Sequence, residues 1–355
     1  MSELLNIDGS LFEGGGQILR IALPLSCLKR IPIRIFNIRA GRSKPGLMEQ
    51  HLKGAELIRD MSNGKLAGAH IGSTEITFHP SEIKGGSFRA FVKTAGSISL
   101  LLQAALPCAI FAKETVTLTL HGGTNTEMAP QIDYMTEVFR PILEKFAVTF
   151  HFELNRRGYF PKGGGEVVVT VDPINKLNGI YLNKFGTVTS ICGWSFVAGT
   201  LPEHLSHKMA LSAKKHLVSV CKNINIVSYK ENRHVAPENA LGIILVAHTD
   251  SGCIIGADAI GKKSENVEKT GERAAEALKI SLEQRACVDE HSQDQIIIFM
   301  ALASGPSSVQ VGEITLHTKT AIYVVEIIVK DVKFRIEPLE GGGNIIHCTG
   351  QAQHF

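Results

Sequence analysis

A chain of 355 residues with 44% hydrophobic and 20% charged side chains has ample material for a globular core, and its length suits two domains. A formal charge of +3 argues against wrapping a long duplex of nucleic acid, yet it permits a local basic pocket facing an anion. Seven scattered cysteines without a C-x-x-C argue against a disulfide framework or a cysteine-built zinc site, and the most apolar stretch, Ile98 to Ala112, is interrupted by Gln103 and Pro107 and too short to span a bilayer.

No basic-then-apolar leader opens the sequence, so the expectation is a protein that is not secreted. The first informative stretch is Asp8 to Arg20, D-G-S-L-F-E-G-G-G-Q-I-L-R. Three glycines between an acid, Glu13, and an apolar run from Ile18 permit a turn that aims N–H groups at an oxyanion, with a helix N-terminus behind it. Gln17 and Arg20 then share one helical face and suit phosphate oxygens, while Glu13 suits a divalent metal. A glycine-rich connection with a surface salt bridge explains the same residues, and the stretch matches neither the Walker pattern nor G-x-G-x-x-G.

Glycine clusters recur at Gly85–Gly86, Gly163–Gly165 and Gly341–Gly343; the first three clusters are spaced by roughly 70 to 80 residues, as repeated α/β units would be. In the first unit Ile31, Ile33 and Ile35 alternate as a strand reaching Ile38. Ser43 and Pro45 read as helix-start residues, with Met48, Leu52 and Ala55 on one face. Arg39, Arg42 and Lys44 thus fall at a strand-to-helix turn, with Gln50 and His51 inside the helix. The second unit offers a helix from Ser97 to Phe111, a strand from Val116 to Leu120, and a core stripe of Ile132, Met135, Phe139, Ile142, Leu143 and Phe146. Strands near Val148–Phe152 and Val167–Val171 flank R-R-G-Y-F-P-K-G-G-G, whose Arg156, Arg157 and Lys162 beside Tyr159 and Phe160 suit a nucleic-acid end or simply a solvated basic loop.

From Asn183 to about Arg285 the texture changes to a self-contained α/β module: strands at Thr187–Ile191, Ile243–Ala247 and Cys253–Ala257, a helix through Leu205, Met209 and Leu217, and a charged helix through Val267 to Leu282. His204 and His207 there lack carboxylate support and read as surface residues. Next, D-E-H-S-Q-D-Q-I-I-I-F places His291, Asp294 and Gln295 on one helical face. T-L-H-T-K-T-A-I reads as a strand ending at Leu316 with a helix starting just after His317, where the helix N-terminus keeps an imidazole neutral and nucleophilic. A purely structural histidine is the competing reading.

Taken together and in order, D-G-S-L-F-E-G-G-G-Q-I-L-R, I-R-A-G-R-S-K-P-G-L, K-T-A-G-S, G-G-T-N-T-E-M-A-P-Q-I-D-Y, R-G-Y-F-P-K-G-G-G-E-V and T-L-H-T-K-T-A-I resemble the RNA 3'-terminal phosphate cyclases in their eukaryotic form, out to about residue 335. The resemblance implies an α+β fold: a large domain of three repeated α/β units, each a four-stranded sheet with two helices, over 1–182 and 286–340, a smaller inserted α/β domain over 183–285, and a tail over 341–355 without an assigned role. It implies ATP-dependent conversion of an RNA 3'-phosphate end to a 2',3'-cyclic phosphodiester, with His317 as the nucleophile that takes AMP before passing it to the RNA. It further implies a divalent metal, Mg2+ or Mn2+, at Glu13, and ATP-site positions at Gln103, Pro130, His291, Asp294 and Gln295. Arg20, Arg39 and Arg42, with Gln17, are the choice for the phosphates of ATP and the RNA end; Gln50 and His51 are given supporting roles. RNA with a 3'-phosphate end is the expected partner, without duplex DNA or membrane, and the nucleus, with a cytoplasmic share, is the expected location.

Two departures from the family pattern stand out. His291 occupies a place where relatives commonly carry tyrosine against the adenine ring, and V-A-P-E-N-A-L-G (Val235 to Gly242) replaces a more glycine-rich stretch. A non-catalytic cyclase-like factor of ribosome assembly is the alternative; such relatives lack the adenylylated histidine that His317 supplies here.

Overall fold

The computed structural model describes residues 4–351. Its organisation is one supersecondary pattern used three times. The first unit runs β1 (Leu5–Asp8), α1 (Gln17–Lys29), β2 (Ile33–Phe36), α2 (Glu49–Met61), β3 (Lys65–Ala67) and β4 (Ile76–His79). The second runs β5 (Gly86–Phe91), α3 (Ile98–Ile110), β6 (Val116–Gly122), a continuous helix over 132–145, then β7 (His151–Arg156) and β8 (Gly165–Val171). That helix comprises α4 (Ile132–Tyr134), a π-helical turn at Met135–Phe139 and α5 (Arg140–Lys145).

The third unit begins with the short β9 (Tyr181–Leu182) and is then interrupted. It resumes as α8 (Glu290–Leu302), β14 (Ser307–Val311), α9 (Leu316–Ile328), β15 (Phe334–Pro338) and β16 (Asn344–Cys348). Each unit is β-α-β-α-β-β, and the sheet orders β1-β2-β4-β3, β5-β6-β8-β7 and β9-β14-β16-β15 are the same order three times. In each, the first two strands pair in parallel and the remaining pairings are antiparallel.

The interruption is a second α/β arrangement lying between β9 and α8. It runs β10 (Val188–Val197), α6 (His204–Leu217), β11 (Ile224–Lys230), β12 (Leu241–Thr249), β13 (Ile254–Ile260) and α7 (Val267–Glu283), with sheet order β11-β10-β12-β13. Its α6 and α7 pack on each other and on the sheet, burying Met209, Ala213, Ala274 and Leu278 in a core continuous with that of the repeated units.

Helices from all three units meet in the middle. Helix α1 packs on α3 and α9, and α8 on α9 and α3. Between Ser292 and Leu302 every residue of α8 is buried, as is every residue from Gln17 to Leu28 of α1 except Arg20. Such helices are apolar nearly all round because every face meets another helix or a sheet. Among the described residues no helix is long and apolar enough to cross a membrane.

Several expected boundaries move, each for a local reason. Helix α2 starts at Glu49 rather than at Ser43 or Pro45, because residues 39–47 fold back as a loop. There Gly46 at φ +80° donates to the Ile38 carbonyl and Leu47 to that of Ser73, so these N–H groups are already committed. The strand expected to end at Leu316 ends at Val311, and Thr315 caps α9 by accepting from the Thr318 N–H; His317 therefore lies inside the first turn rather than ahead of it. The strand expected near Val148–Phe152 begins at His151, since Phe146, Ala147 and Val148 close the preceding helix with turn hydrogen bonds. A strand that its polar residues concealed, β11, lies at the edge of the inserted sheet. Within the tail left without a role, Asn344–Cys348 form β16 in the interior of the third sheet, between β14 and β15.

Candidate functional site

Three chain segments far apart in sequence converge on one cavity of about 1140 Å³, lined by residues of the first two units, the third unit's α8 and α9, and the inserted module. That volume lies just above the usual range of about 300–1,000 Å³ for a site holding one small ligand.

Segment one is the glycine turn. Gly14 adopts φ +60° and donates to the Leu11 carbonyl at 3.0 Å, turning the chain so that α1 starts directly behind it. Glu13 is fixed from two sides: its N–H donates to Thr320 Oγ1 of α9 at 3.2 Å, and Arg42 Nη2 donates to its carboxylate and, at 3.1 Å, to its carbonyl. The other carboxylate oxygen, Glu13 Oε2, is buried without a partner. From the first turn of α1, Gln17 bridges two charges: Arg20 Nη2 donates to Gln17 Oε1 at 2.6 Å, and Gln17 Nε2 donates to Asp294 Oδ2 of α8 at 2.6 Å. This chain of charge-assisted bonds fixes the relative positions of α1 and α8.

Segment two is α8. Asp289 caps it by accepting from the N–H groups of His291 and Ser292, each at 3.0 Å. The same carboxylate accepts from Tyr134 Oη at 2.5 Å and from the Gly256 N–H of the inserted module at 2.8 Å. One side chain therefore joins the second unit, the third unit and the module. His291 meets Tyr134 edge-on at 5.7 Å between centroids. Burial opposes its protonation, but Asp258, Asp289, Glu290 and Asp294 outweigh that and raise its pKa. Burial pushes Asp294 up to about 7 against the pull of Arg20 and His291.

Segment three is the start of α9. His317, about half exposed, places Nε2 at 3.9 Å from Glu13 Oε1. Burial lowers its pKa; Glu13 pulls upward, while Arg20, His291 and Arg42 push further down. The ring is thus held neutral near pH 7, the state in which a ring nitrogen carries a free lone pair. Two hydrogen bonds from α9 to Gln293 of α8, Thr318 Oγ1 at 2.6 Å and the Thr315 N–H at 3.2 Å, set the orientation of this turn.

Of the residues singled out from sequence, Glu13, Arg20, Arg42, Gln103, Pro130, His291, Asp294, Gln295 and His317 all line this cavity. Gln17 stands behind the wall as the Arg20–Asp294 bridge. Arg39 does not line it: at φ +53°, its Nη1 donates to the carbonyls of Lys44 and Gly46 and ties its own loop together. Gln50 accepts from the Ser97 N–H at 2.6 Å and joins the first two units. His51 accepts from the Met48 N–H through Nδ1 at 3.1 Å and borders a small adjoining recess next to Arg20. Burial, then Arg20 and Arg39, hold His51 neutral with a pKa down at about 3.

The basic loop withdraws only one of its three cations from solvent: Arg156 and Lys162 are exposed, and Arg157 is not. Arg157 is buried and paired with Asp133 and, at 2.8 Å, with Glu231 of the module; Tyr159 is buried and stacks on Phe196 of β10; Lys162 pairs with Glu238 at 3.0 Å. The loop fastens the module to the second unit. The reading from sequence missed the module's share of the site: Asp258 of β13, Lys262 just after it and Arg273 of α7 line the cavity. No local spacing relates them to the glycine turn, about 250 residues away.

Glu13 Oε2, Arg20 Nε, Gln103 Nε2, Gln295 Oε1 and Arg273 Nε are buried polar atoms without partners, and all five belong to side chains lining this cavity. Folded proteins rarely leave such atoms orphaned, and so many around one cavity mark a polar ligand's place. Among the described residues no group of three or more His, Cys, Asp and Glu side chains is arranged to hold a metal ion.

A family model described as RNA 3'-terminal phosphate cyclase matches residues 11–336. A protein named RNA 3'-terminal phosphate cyclase from Drosophila melanogaster is 39% identical over 350 residues, covering 98% of this chain and 97% of its own. Proteins of the same name from Pyrobaculum aerophilum, 39% identical over 330 residues, and Staphylothermus marinus, 40% over 354, cover 93% and 98% of this chain and 94% and 98% of theirs. A solved EPSP synthase from Acinetobacter baumannii superposes with a TM-score of 0.29 at 11% identity, covering 99% of this chain and 67% of that one, a likeness too weak to bear on fold or function. With a family match over most of its length and such identities end to end, the chain belongs to the RNA 3'-terminal phosphate cyclase family.

Proposed function

We propose that this protein converts RNA 3'-phosphate ends to 2',3'-cyclic phosphodiesters at the expense of ATP, through covalent adenylylation of His317. The observation that carries the reading is the meeting, in one cavity, of a neutral histidine at a helix N-terminus with cations and orphaned polar atoms suited to phosphate.

In this reading a ring nitrogen of His317 attacks the α-phosphorus of ATP, and the bond to the bridging oxygen breaks as pyrophosphate leaves. The RNA 3'-phosphate then displaces histidine from AMP, and the adjacent 2'-hydroxyl displaces AMP to close the ring. Arg20 and Arg42, which line the cavity, are the candidates to neutralise charge developing on the transferring phosphoryl group. Pro130 and His291 are the candidates for the two sides of the adenine ring, and Gln103 and Gln295 for its polar edge or the ribose. Asp294 acts through Gln17 by holding Arg20 in place.

The residues present fit a divalent cation. Glu13 Oε2 is buried and unpartnered, and Mg2+ is commonly held by a single carboxylate together with substrate phosphates and water. Mg2+ or Mn2+ there would neutralise phosphate charge. RNA processing in the nucleus, with a cytoplasmic share, goes with this activity.

The test is to incubate the protein with ATP, Mg2+ and an RNA oligonucleotide ending in a labelled 3'-phosphate. The expected result is a label that phosphatase no longer removes, with AMP and pyrophosphate as co-products. An RNA end that stays phosphatase-sensitive after ATP has been offered contradicts the reading.

A further inference from the structure

Three large apolar side chains lining the cavity stand exposed, Phe12, Met128 and Leu316, and two of them lie one residue ahead of a central polar group. Phe12, 51% exposed, precedes Glu13; Leu316, 55% exposed, precedes His317. These two belong to one surface. Leu316, Thr320 and Tyr323 follow the i, i+4, i+7 face of α9. Against that face the glycine-turn segment lays its Phe12 ring on Tyr323, edge-on at 5.2 Å, and its Glu13 N–H on Thr320.

Among the described residues, none closes over Phe12 or Leu316, each of which keeps about half of its surface exposed. Phe12 also holds a backbone conformation, φ +53°, that a bulky residue adopts only where its surroundings impose it. An exposed aromatic held in a strained conformation next to a polar reaction site has a cost for stability, so burial in the fold does not account for it.

We propose that Phe12 and Leu316 form a shelf on which the base of the RNA's 3'-terminal nucleotide stacks, setting the terminal phosphate beside His317. This rests on the cyclase reading, and it adds a positioning site that the sequence motifs did not indicate. The choice of occupant follows from the layout. Whatever places a phosphate between Glu13 and His317 has its nucleoside within reach of the two residues preceding them. The adenine of ATP is assigned to the Pro130–His291 wall, which leaves the shelf for the other nucleotide. Arg42, from the 39–47 loop and paired with Glu13 in the cavity lining, complements an anionic backbone passing over the shelf. Stacking on an apolar shelf tolerates any base and favours the larger purines, as suits an enzyme acting on ends of varied sequence.

The experiment measures binding of a fluorescent single-stranded RNA with a 3'-phosphate by anisotropy, for the wild-type protein, Phe12→Gly and Phe12→Trp. Phe12→Gly removes the ring and relieves the positive φ, so loss of fold does not confound it. The expected result is a Kd raised about 5- to 150-fold in Phe12→Gly, the range for one lost base stack, and restored in Phe12→Trp. With an RNA whose 3'-terminal residue is abasic, the wild type should weaken by a similar factor and Phe12→Gly should hardly change. Equal Kd values for wild type and Phe12→Gly, or equal sensitivity of both to the abasic end, overturn the proposal. Cyclisation is read in parallel. A wild type that binds RNA through Phe12 yet closes no ring leaves the shelf standing and refutes the cyclase reading.

Discussion

Gly16 separates the chemistry of the site from the stability of the fold. It caps α1 with right-handed helical angles, φ −78° and ψ −13°, which alanine adopts without strain. A methyl group there would lie 2.6 Å from His51 Nε2 and 2.8 Å from Arg20 Nη1, whereas ordinary van der Waals contact begins near 3.4 Å. Both neighbours are side-chain ends, so in Gly16→Ala they move rather than the backbone, by roughly 0.6–0.8 Å each. Arg20 then loses its 2.6 Å bond to Gln17 Oε1, and with it the bridge to Asp294. A misplacement approaching 1 Å in a group that orients or stabilises a transferring phosphoryl lowers a rate by up to about 100-fold. The expected outcome is self-adenylylation with α-labelled ATP slowed about 10- to 100-fold, with Tm changed by no more than a few degrees. Labelling within twofold of wild type would refute the assignment of Arg20 to the phosphates. A Tm lowered by more than about 10 °C would mean that the clash is relieved through the backbone instead.

Other consequences follow from the same geometry. Asp294 has a folded pKa of about 7 against an ordinary 3.8, so the folded state binds the extra proton and this group's effect makes stability fall as pH rises from 4 to 7. The gap is worth at most about 4 kcal/mol, so Asp294→Asn should raise stability in denaturant melts at pH 8 by a few kcal/mol, with the gain vanishing below pH 4; an equal gain at both pH values would contradict the buried-acid account. His317 acts as the neutral ring and its pKa is lowered, chiefly by burial and then by Arg20, His291 and Arg42, so the acid limb of the self-adenylylation rate should fall below pH 6.5; a limb centred above 6.5 would mean that burial and the flanking cations do not govern it. Arg157→Ala leaves Asp133 and Glu231 without their buried cation, and should cost about 3–5 kcal/mol in unfolding melts and speed proteolysis at the module's edges; a loss under 1 kcal/mol would show that the loop does not fasten the module.

What the sequence disclosed was local. The glycine turn, the Gln17–Arg20 face, the His291–Asp294–Gln295 face and the position of His317 at a helix start depend on spacings of a few residues, and periodicity reads these directly. The core stripe from Ile132 to Phe146 is fully buried as expected, although a π-helical turn runs through it. Properties set by distant contacts escaped. The basic loop read either as a nucleic-acid end or as a solvated loop, and neither reading foresaw the ion pairs of Arg157 and Lys162, because the partners Asp133, Glu231 and Glu238 lie elsewhere in the fold. Likewise, Asp258, Lys262 and Arg273 reach the cavity only because the module packs across it, and no local pattern encodes that.

The central claim is that His317 is the residue that takes AMP. The most direct measurement is incubation of wild type and His317→Ala with α-labelled ATP and Mg2+, followed by denaturing electrophoresis and a test of the label in acid and alkali. The account expects an acid-labile, alkali-stable label on wild type, as a phosphoramidate gives, and none on His317→Ala. A label of equal strength on the variant, or none on wild type across metals and pH, would contradict it.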